Sequence, residues 1–292
     1  MKRNFNDLLK AKWDSGNFVC VGLDSELGKI PPEFRAGTIL TEAAIHAFNA
    51  AIVDATKDLV GAYKPNIAFY EAHGEAGLRA LRQTIIFINA TAPDVPVILD
   101  AKRADIGNTN AGYVEMAFDY LGADAITVQP YLGGEALKPF LTLKDKGIII
   151  LCRTSNMGAG EFQDRLVLPT NEEANKWGLR ARNLMPLYQL VAHRVAKEWN
   201  QNNNCALVVG ATYPEELREV RQIVGDMPIL IPGIGAQGGD VEKTVVAGKD
   251  SHGQGMIINS SRGIIFASSG PDFAEAARRE TEKLRDLINQ YR

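Results

Sequence analysis

Apolar residues in this chain gather into short runs separated by longer stretches with helical spacing. The runs fall at 18–23, 62–63 just before Lys64, 97–99, 125–128, 147–151, 206–209, 229–231 and 256–258. Runs this short, with little polar alternation, suit strands buried on both faces, as in a parallel sheet covered by helices. Helices are predicted over 42–59, 75–90, 110–121, 172–200, 214–224 and 272–291, many with Gly or Pro at their junctions. The pattern amounts to eight β-to-α units.

Eight such units form either a closed barrel or an open doubly wound sheet. The closed (β/α)8 barrel, the TIM barrel of the α/β class, fits better, as a single domain over residues 1–292. No edge strand or domain break is visible, and polar residues cluster just after the strands. An open dinucleotide-binding sheet would want Gly-x-Gly-x-x-Gly after an early strand, which Gly22-Leu-Asp-Ser-Glu-Leu-Gly28 does not supply. One departure from a minimal barrel stands out. Residues 156–171 are polar and Gly-containing, and the helical stretch after them is long, so a loop and helix insertion is expected around 156–200. It reads as either a lid over the barrel mouth or a passive surface excursion.

Composition narrows the class. Of 292 residues, 46% are hydrophobic and 23% charged, as in ordinary globular proteins, and no run of about 18 apolar residues exists to cross a membrane. No apolar segment follows the N-terminal Met-Lys-Arg-Asn-Phe-Asn-Asp, so a cytoplasmic location is expected. With 35 acidic against 32 basic side chains the net charge is −3, which argues against a nucleic-acid partner. Cys20, Cys152 and Cys205 lie in or beside apolar runs and read as buried thiols. The four histidines, His46, His73, His193 and His252, have no ligand spacing, so no metal site is expected.

Candidate chemistry concentrates where the strands end. In barrels the reactive groups sit at the C-terminal ends of the strands. Asp24 closes the first run, Lys64 the second, Asp100 and Lys102 the third, Thr154-Ser155-Asn156 the fifth, and Asn259, Ser261 and Arg262 the eighth. Residues 97–110, Val-Ile-Leu-Asp-Ala-Lys-Arg-Ala-Asp-Ile-Gly-Asn-Thr-Asn, are the densest. In an extended strand Asp100 and Lys102 would share one face, with Cα atoms about 7 Å apart. Lys64, Asp100, Lys102 and Asp105 can form an alternating chain in which each lysine is kept protonated by carboxylates. They read either as a site strained for chemistry or as a salt-bridge ring tying two strands together. Pro232-Gly-Ile-Gly-Ala-Gln-Gly-Gly239 can aim backbone N–H groups at a phosphate, and Arg262 can clamp phosphate oxygens; each alone also reads as a plain turn.

Asp100-Ala-Lys-Arg-Ala-Asp-Ile106 resembles the Asp-x-Lys-x-x-Asp-Ile signature of the orotidine 5′-phosphate decarboxylase family, and the extension Gly-Asn-Thr109 is similar to its longer-chain bacterial branch. Val21-Gly-Leu-Asp24, Lys64-Pro-Asn66, Thr154-Ser155, Pro232-Gly-Ile-Gly-Ala-Gln237 and Ser261-Arg262 follow in that family's order. The resemblance implies a barrel that decarboxylates orotidine 5′-monophosphate to uridine 5′-monophosphate in pyrimidine synthesis, with no cofactor and no metal. It implies Lys102 as proton donor to pyrimidine C6 and Asp100 against the departing carboxylate. Lys64 and Asp24 would bind ribose hydroxyls, Ser155 the pyrimidine amide edge, and Gly235, Gln237 and Arg262 the phosphate. Asp105 and Thr109 would reach the neighbouring subunit's site, making a homodimer with shared active sites. Where short-chain members often carry Gly before the phosphate-binding arginine, this chain has Ser261. Three rivals remain: the related hexulose phosphate synthases, which use magnesium; a Schiff-base aldolase on Lys64 or Lys102; and a catalytically silent nucleotide-binding barrel.

Overall fold

The apolar runs become the eight parallel strands of one sheet among the described residues, which in this computed structural model are 3–35, 40–180, 183–234 and 239–292. They are β1 (Val19–Leu23), β2 (Ala62–Pro65), β3 (Ile98–Arg103), β4 (Ala125–Val128), β5 (Gly147–Arg153), β6 (Cys205–Val209), β7 (Ile229–Pro232) and β8 (Met256–Ser260). Their spatial order is β2-β1-β8-β7-β6-β5-β4-β3. The two ends of that series meet through the bridges Tyr63–Val97 and Asn66–Asp100. Two hydrogen bonds reinforce the seam, from Tyr63 N to Pro96 O at 3.1 Å and from Ile67 N to Asp100 O at 3.2 Å. The sheet is therefore a closed TIM barrel, and closure removes the unpaired edges that an open sheet would expose.

Strands β1, β2, β4, β6 and β8 are buried along their whole length, as inner barrel walls covered by helices must be. Several strands outrun their apolar runs. Lys64, Asp100, Lys102 and Asn259 lie within β2, β3 and β8 instead of just after them. The parallel ladder needs only backbone N–H and C=O groups, so it continues into polar residues wherever the side chains can face the mouth.

The helices match their predicted spans to within a few residues, with instructive exceptions. The helix at Pro214–Val224 begins on a proline whose absent N–H has no partner to lose. The predicted 172–200 helix is two separate pieces. The first, Asn171–Trp177, starts on a Thr170–Glu173 capping box and stops at Gly178, which adopts φ 72°. The second, Leu187–Arg194, continues as a π-helical turn over Val195–Trp199. Between them Leu166–Val167 and Met185–Pro186 pair as a small antiparallel ribbon. The predicted 110–121 helix likewise divides into an α-helix at Gly107–Val114 and a π-helical turn at Glu115–Tyr120. The three cysteines are buried and free, and burial pushes the thiols of Cys20 and Cys205 up to about 12.

An N-terminal helix that the apolar runs did not signal, Phe5–Asp14, packs against the strand starts, the end of the barrel opposite the polar cluster. Trp13 Nε1 donates to Met256 O at 2.8 Å, and Phe5 is 2% exposed. Gly147, the first residue of β5, leaves room for the Phe5 ring: a Cβ there would lie 2.3 Å from Phe5 Cδ1. Gly147→Ala should therefore overpack this junction and lower unfolding stability by about 1–3 kcal/mol. Urea denaturation checks it, and a midpoint equal to that of the parent protein would contradict the packing argument.

Candidate active site

At the C-terminal ends of the strands lies a cavity of about 400 Å³ with an apolar floor and a polar rim. Leu151, Val208 and Leu230 form apolar wall; Asp24, Lys64, Asp100 and Lys102 gather on one side, and Ser155, Ser261 and Arg262 line the rest of the mouth. The volume suits a nucleotide-sized ligand.

Asp100 is the hub. Its Oδ2 accepts a hydrogen bond from Lys64 Nζ at 2.8 Å, and its Oδ1 accepts from Lys102 Nζ at 2.6 Å and from Thr127 Oγ1 at 2.9 Å. Lys64 is 3% exposed and Asp100 9%, whereas half of the Lys102 side chain is open to the cavity. Burial opposes the charge on Lys64 most strongly. The fields of Asp100 and Asp24 more than compensate, and the ammonium stays protonated well above the ordinary lysine range. Burial likewise works against the Asp100 carboxylate, but Lys64 and Lys102 outweigh it and hold the group well below the usual carboxylate range. The barrel thus buries one anion between two cations and leaves one of those cations facing the ligand space.

The pair meets by a different route from simple strand alternation. Between β3 and β4 the register runs Ile98–Ala125 and Leu99–Ile126, then resumes at Arg103–Val128, so β3 carries extra residues through Asp100 to Lys102. Lys102 itself adopts φ 47°. That left-handed conformation costs a residue with a Cβ about 1–2 kcal/mol, so the bulge must be held in place.

The remaining expected residues sort by geometry. Asp24 lines the cavity, and its Oδ1 is buried without a hydrogen-bond partner among the described residues, as is Oδ1 of Asn259. Ser261 Oγ donates to Gly22 O at 2.9 Å, and a Cβ on Gly22 would come within 2.7 Å of Ser261 Cβ, so β1 and the start of the Arg262–Ile265 helix need a glycine at that contact. The Gly-rich loop is pinned at its ends by Gly239 N donating to Gly233 O at 3.1 Å, while Gly235 and Gln237 lie outside the described residues. Asp105 and Thr109 are not part of the cavity wall in this chain. The expected four-member charge chain therefore contains three members here, because Asp105 turns into its own loop: its Oδ1 accepts from Ile106 N at 2.6 Å, and Asn110 Oδ1 accepts from Asp105 N at 2.8 Å.

Two cavity residues were not singled out as candidates in the sequence, Thr127 and Gln163; Asn66 and Thr154, which belong to the strand-end motifs, also line the cavity. Gln163, in the short helix Gly160–Gln163, accepts from Thr154 N at 2.8 Å and donates to Thr154 Oγ1 at 2.9 Å, drawing that segment onto the rim. Beneath it Arg153, 3% exposed, donates to Asp164 Oδ2 at 3.1 Å and stacks 3.9 Å from the Tyr213 ring centroid. For Thr127 the available signal was a hydroxyl inside an apolar, fully buried strand, which needs a partner.

The sequence model of the Orotidine 5′-phosphate decarboxylase / HUMPS family matches residues 17–279. The orotidine 5′-phosphate decarboxylase of Cellvibrio japonicus is 49% identical over 290 residues, covering 99% of both chains. Among solved structures, the OMP decarboxylase of Leishmania donovani aligns over 98% of this chain and 99% of its own, with TM-score 0.78 and 35% identity. The UMP synthase of Leishmania donovani aligns over all of this chain with TM-score 0.83 and 36% identity, and this chain spans 57% of its length. The chain belongs to the orotidine 5′-phosphate decarboxylase / HUMPS family.

The charge triad has a signature in stability. The depressed Asp100 group contributes stability that is fully present above about pH 4 and is lost as pH falls through its folded value. The raised Lys64 group contributes stability fully present below about pH 10.4 and lost as pH rises beyond it. Asp100→Asn leaves two buried or half-buried ammonium groups facing each other and should cost about 3–5 kcal/mol at pH 7. Chemical denaturation should find that deficit constant from about pH 5 to 9 and shrinking in acid; a deficit that grows in acid would refute the assignment.

Proposed function

We propose, from this family membership and this geometry, that the chain decarboxylates orotidine 5′-monophosphate to uridine 5′-monophosphate in pyrimidine biosynthesis, with Lys102 as the proton donor. The observation that carries the reading is the Lys64–Asp100–Lys102 chain along one side of a nucleotide-sized cavity. Arg262 at the rim, together with Gly235 and Gln237, grips the 5′-phosphate. Asp24 and Lys64 take the ribose hydroxyls; the unpartnered buried Asp24 oxygen supports an acceptor role there. Ser155 contacts the amide edge of the pyrimidine.

The chemistry follows from the charges. The substrate carboxylate lies against Asp100, whose lysine partners prevent it from taking up a proton to relieve the repulsion. The bond from C6 to the carboxylate breaks, CO2 leaves, and the electron pair remains in the ring plane on C6. No adjacent π system can accept that pair, so a fixed cation must stabilise it. Lys102, whose side chain is half open to the cavity, supplies the cation and then transfers an Nζ proton to C6; solvent reprotonates the amine. Binding energy from the remote phosphate is used to hold the carboxylate near Asp100. The step requires neither metal nor organic cofactor. Both Asp100 oxygens are occupied by ammonium and hydroxyl donors, which favours this route over the magnesium-assisted aldol chemistry of the hexulose phosphate synthases. A lysine kept charged by a carboxylate is also a poor Schiff-base nucleophile.

The site is completed by a second copy of the chain. Asp105 and Thr109 stand off the cavity wall of their own subunit, and Ile106 beside them is 62% exposed, as suits a segment that reaches into a partner's site. A homodimer with shared active sites is the resulting assembly.

Purified protein should lower the absorbance of orotidine 5′-monophosphate on the long-wavelength side of its band as the uridine 5′-monophosphate spectrum replaces it, with the rate unchanged by EDTA; no decrease at saturating substrate overturns the reading, and EDTA sensitivity transfers it to the metal-assisted branch. Lys102→Ala should lower kcat by more than about 10⁴-fold while uridine 5′-monophosphate binding stays near normal. Near-normal turnover would remove the proton-donor role. Mixed dimers of Lys102→Ala and Asp105→Ala subunits should regain activity, because one of their two sites carries both native residues; verified heterodimers without recovery would exclude the shared site.

A further inference from the structure

Thr127 sits in the middle of β4, 1% exposed, between Ile126 and Val128 in a strand otherwise made of apolar side chains. A hydroxyl has one donor and two acceptor lone pairs. All three are used at once, and on one neighbouring segment. Thr127 Oγ1 accepts from Ala101 N at 3.0 Å and from Lys102 N at 2.9 Å, and it donates to Asp100 Oδ1 at 2.9 Å. These contacts fall on the stretch where β3 leaves register with β4, between Leu99 and Arg103. The bulge deprives the Ala101 and Lys102 amides of strand-ladder carbonyls, and the Thr127 hydroxyl takes both.

We infer that Thr127 is a positioning residue for the reaction: its hydroxyl holds the left-handed turn at Lys102 and orients the Asp100 carboxylate, so that the ammonium and the carboxylate keep their spacing across the ligand space. The inference rests on the reading of the site given above. It assigns a role to a residue at the cavity wall that is 1% exposed and whose hydroxyl is spent on the protein's own groups. Without the hydroxyl, the buried Ala101 amide and the partly buried Lys102 amide lose their acceptor, and Asp100 loses its one neutral side-chain donor among the described residues. The φ 47° backbone at Lys102 is then free to relax toward ordinary strand geometry, which returns its side chain to a different place in the barrel. A shift of about 1 Å in a reacting group is enough to cost about 100-fold in rate.

The test compares Thr127→Val, nearly the same shape without the hydroxyl, with Thr127→Ser, which keeps all three hydrogen bonds. In the full-length protein, well below the unfolding midpoint, Thr127→Val should lower kcat by about 100-fold while KM and the Kd for uridine 5′-monophosphate change by less than about threefold, and Thr127→Ser should restore most of the lost rate. A merely structural role would instead lower the folded fraction and leave kcat per folded molecule unchanged. Should Thr127→Val not fold, Thr127→Cys replaces it, since a thiol fills the space but is a weak acceptor; it should lose at least about tenfold in kcat. A kcat within about threefold of the parent in the hydroxyl-free variant, or equal losses in the Ser variant, overturns the inference. Amide hydrogen exchange separates this failure from failure of the functional reading. If the parent protein does not turn over orotidine 5′-monophosphate, the functional reading falls. Exchange still decides the hydrogen bonds: Ala101 and Lys102 should lose protection selectively in the Val or Cys variant, and unchanged protection there overturns the inference by itself.

Discussion

A single buried carboxylate balanced between two ammonium groups is the constraint around which this barrel is organised. An isolated Asp100 charge in the barrel wall would be too costly to keep ionised, and it would take up a proton. Lys64 and Lys102 prevent that, and the carboxylate in turn helps to keep the buried Lys64 charged. The arrangement also has a mechanical side. Lys64 belongs to β2 and Asp100 to β3, the two strands that meet only through isolated bridges, so the ion pair spans the seam at which the sheet closes. The structural and chemical readings of the charge cluster are therefore one object: the pair that closes the barrel also supplies the charged side of its cavity.

Rigid placement of that cluster depends on departures from regular geometry. A regular β3 would set Asp100 and Lys102 side by side on one face with nothing to fix their separation. The bulge and the left-handed Lys102 instead aim the ammonium back onto the Asp100 oxygen from a backbone that has left the ladder. Such strain persists only where surrounding groups over-determine it, and the β4 hydroxyl is the group in contact with every member of the turn. On the opposite rim, Arg153 and Thr154 anchor the short Gly160–Gln163 helix, so the site has one stiff side carrying charge and one side built from loops. That division suits a pocket that must admit a nucleotide and still hold reacting groups closely.

The sequence by itself determined the architecture and most of the polar cast. Eight buried apolar runs at β-to-α spacing led to the closed barrel, and the rule that reactive groups collect at strand ends brought Asp24, Lys64, Asp100, Lys102, Ser155 and Arg262 to one mouth, where the structure places them. Both follow from local chemistry, since burial on two faces and the charge of a side chain are properties of short segments. What only the tertiary structure decided are the contacts between segments far apart in the chain. The N-terminal helix under the barrel, the break at Gly178 and the separation of Asp105 from the other charges came from packing, capping and loop hydrogen bonds that no apolar periodicity encodes. Thr127 is the sharpest case. In the sequence it is one β-branched residue in an apolar strand, whose hydroxyl signals a need for some partner but not which one. Only when β3 is laid beside β4, with two amides out of register, does a hydroxyl at that position become the group that holds Asp100 and Lys102 in place.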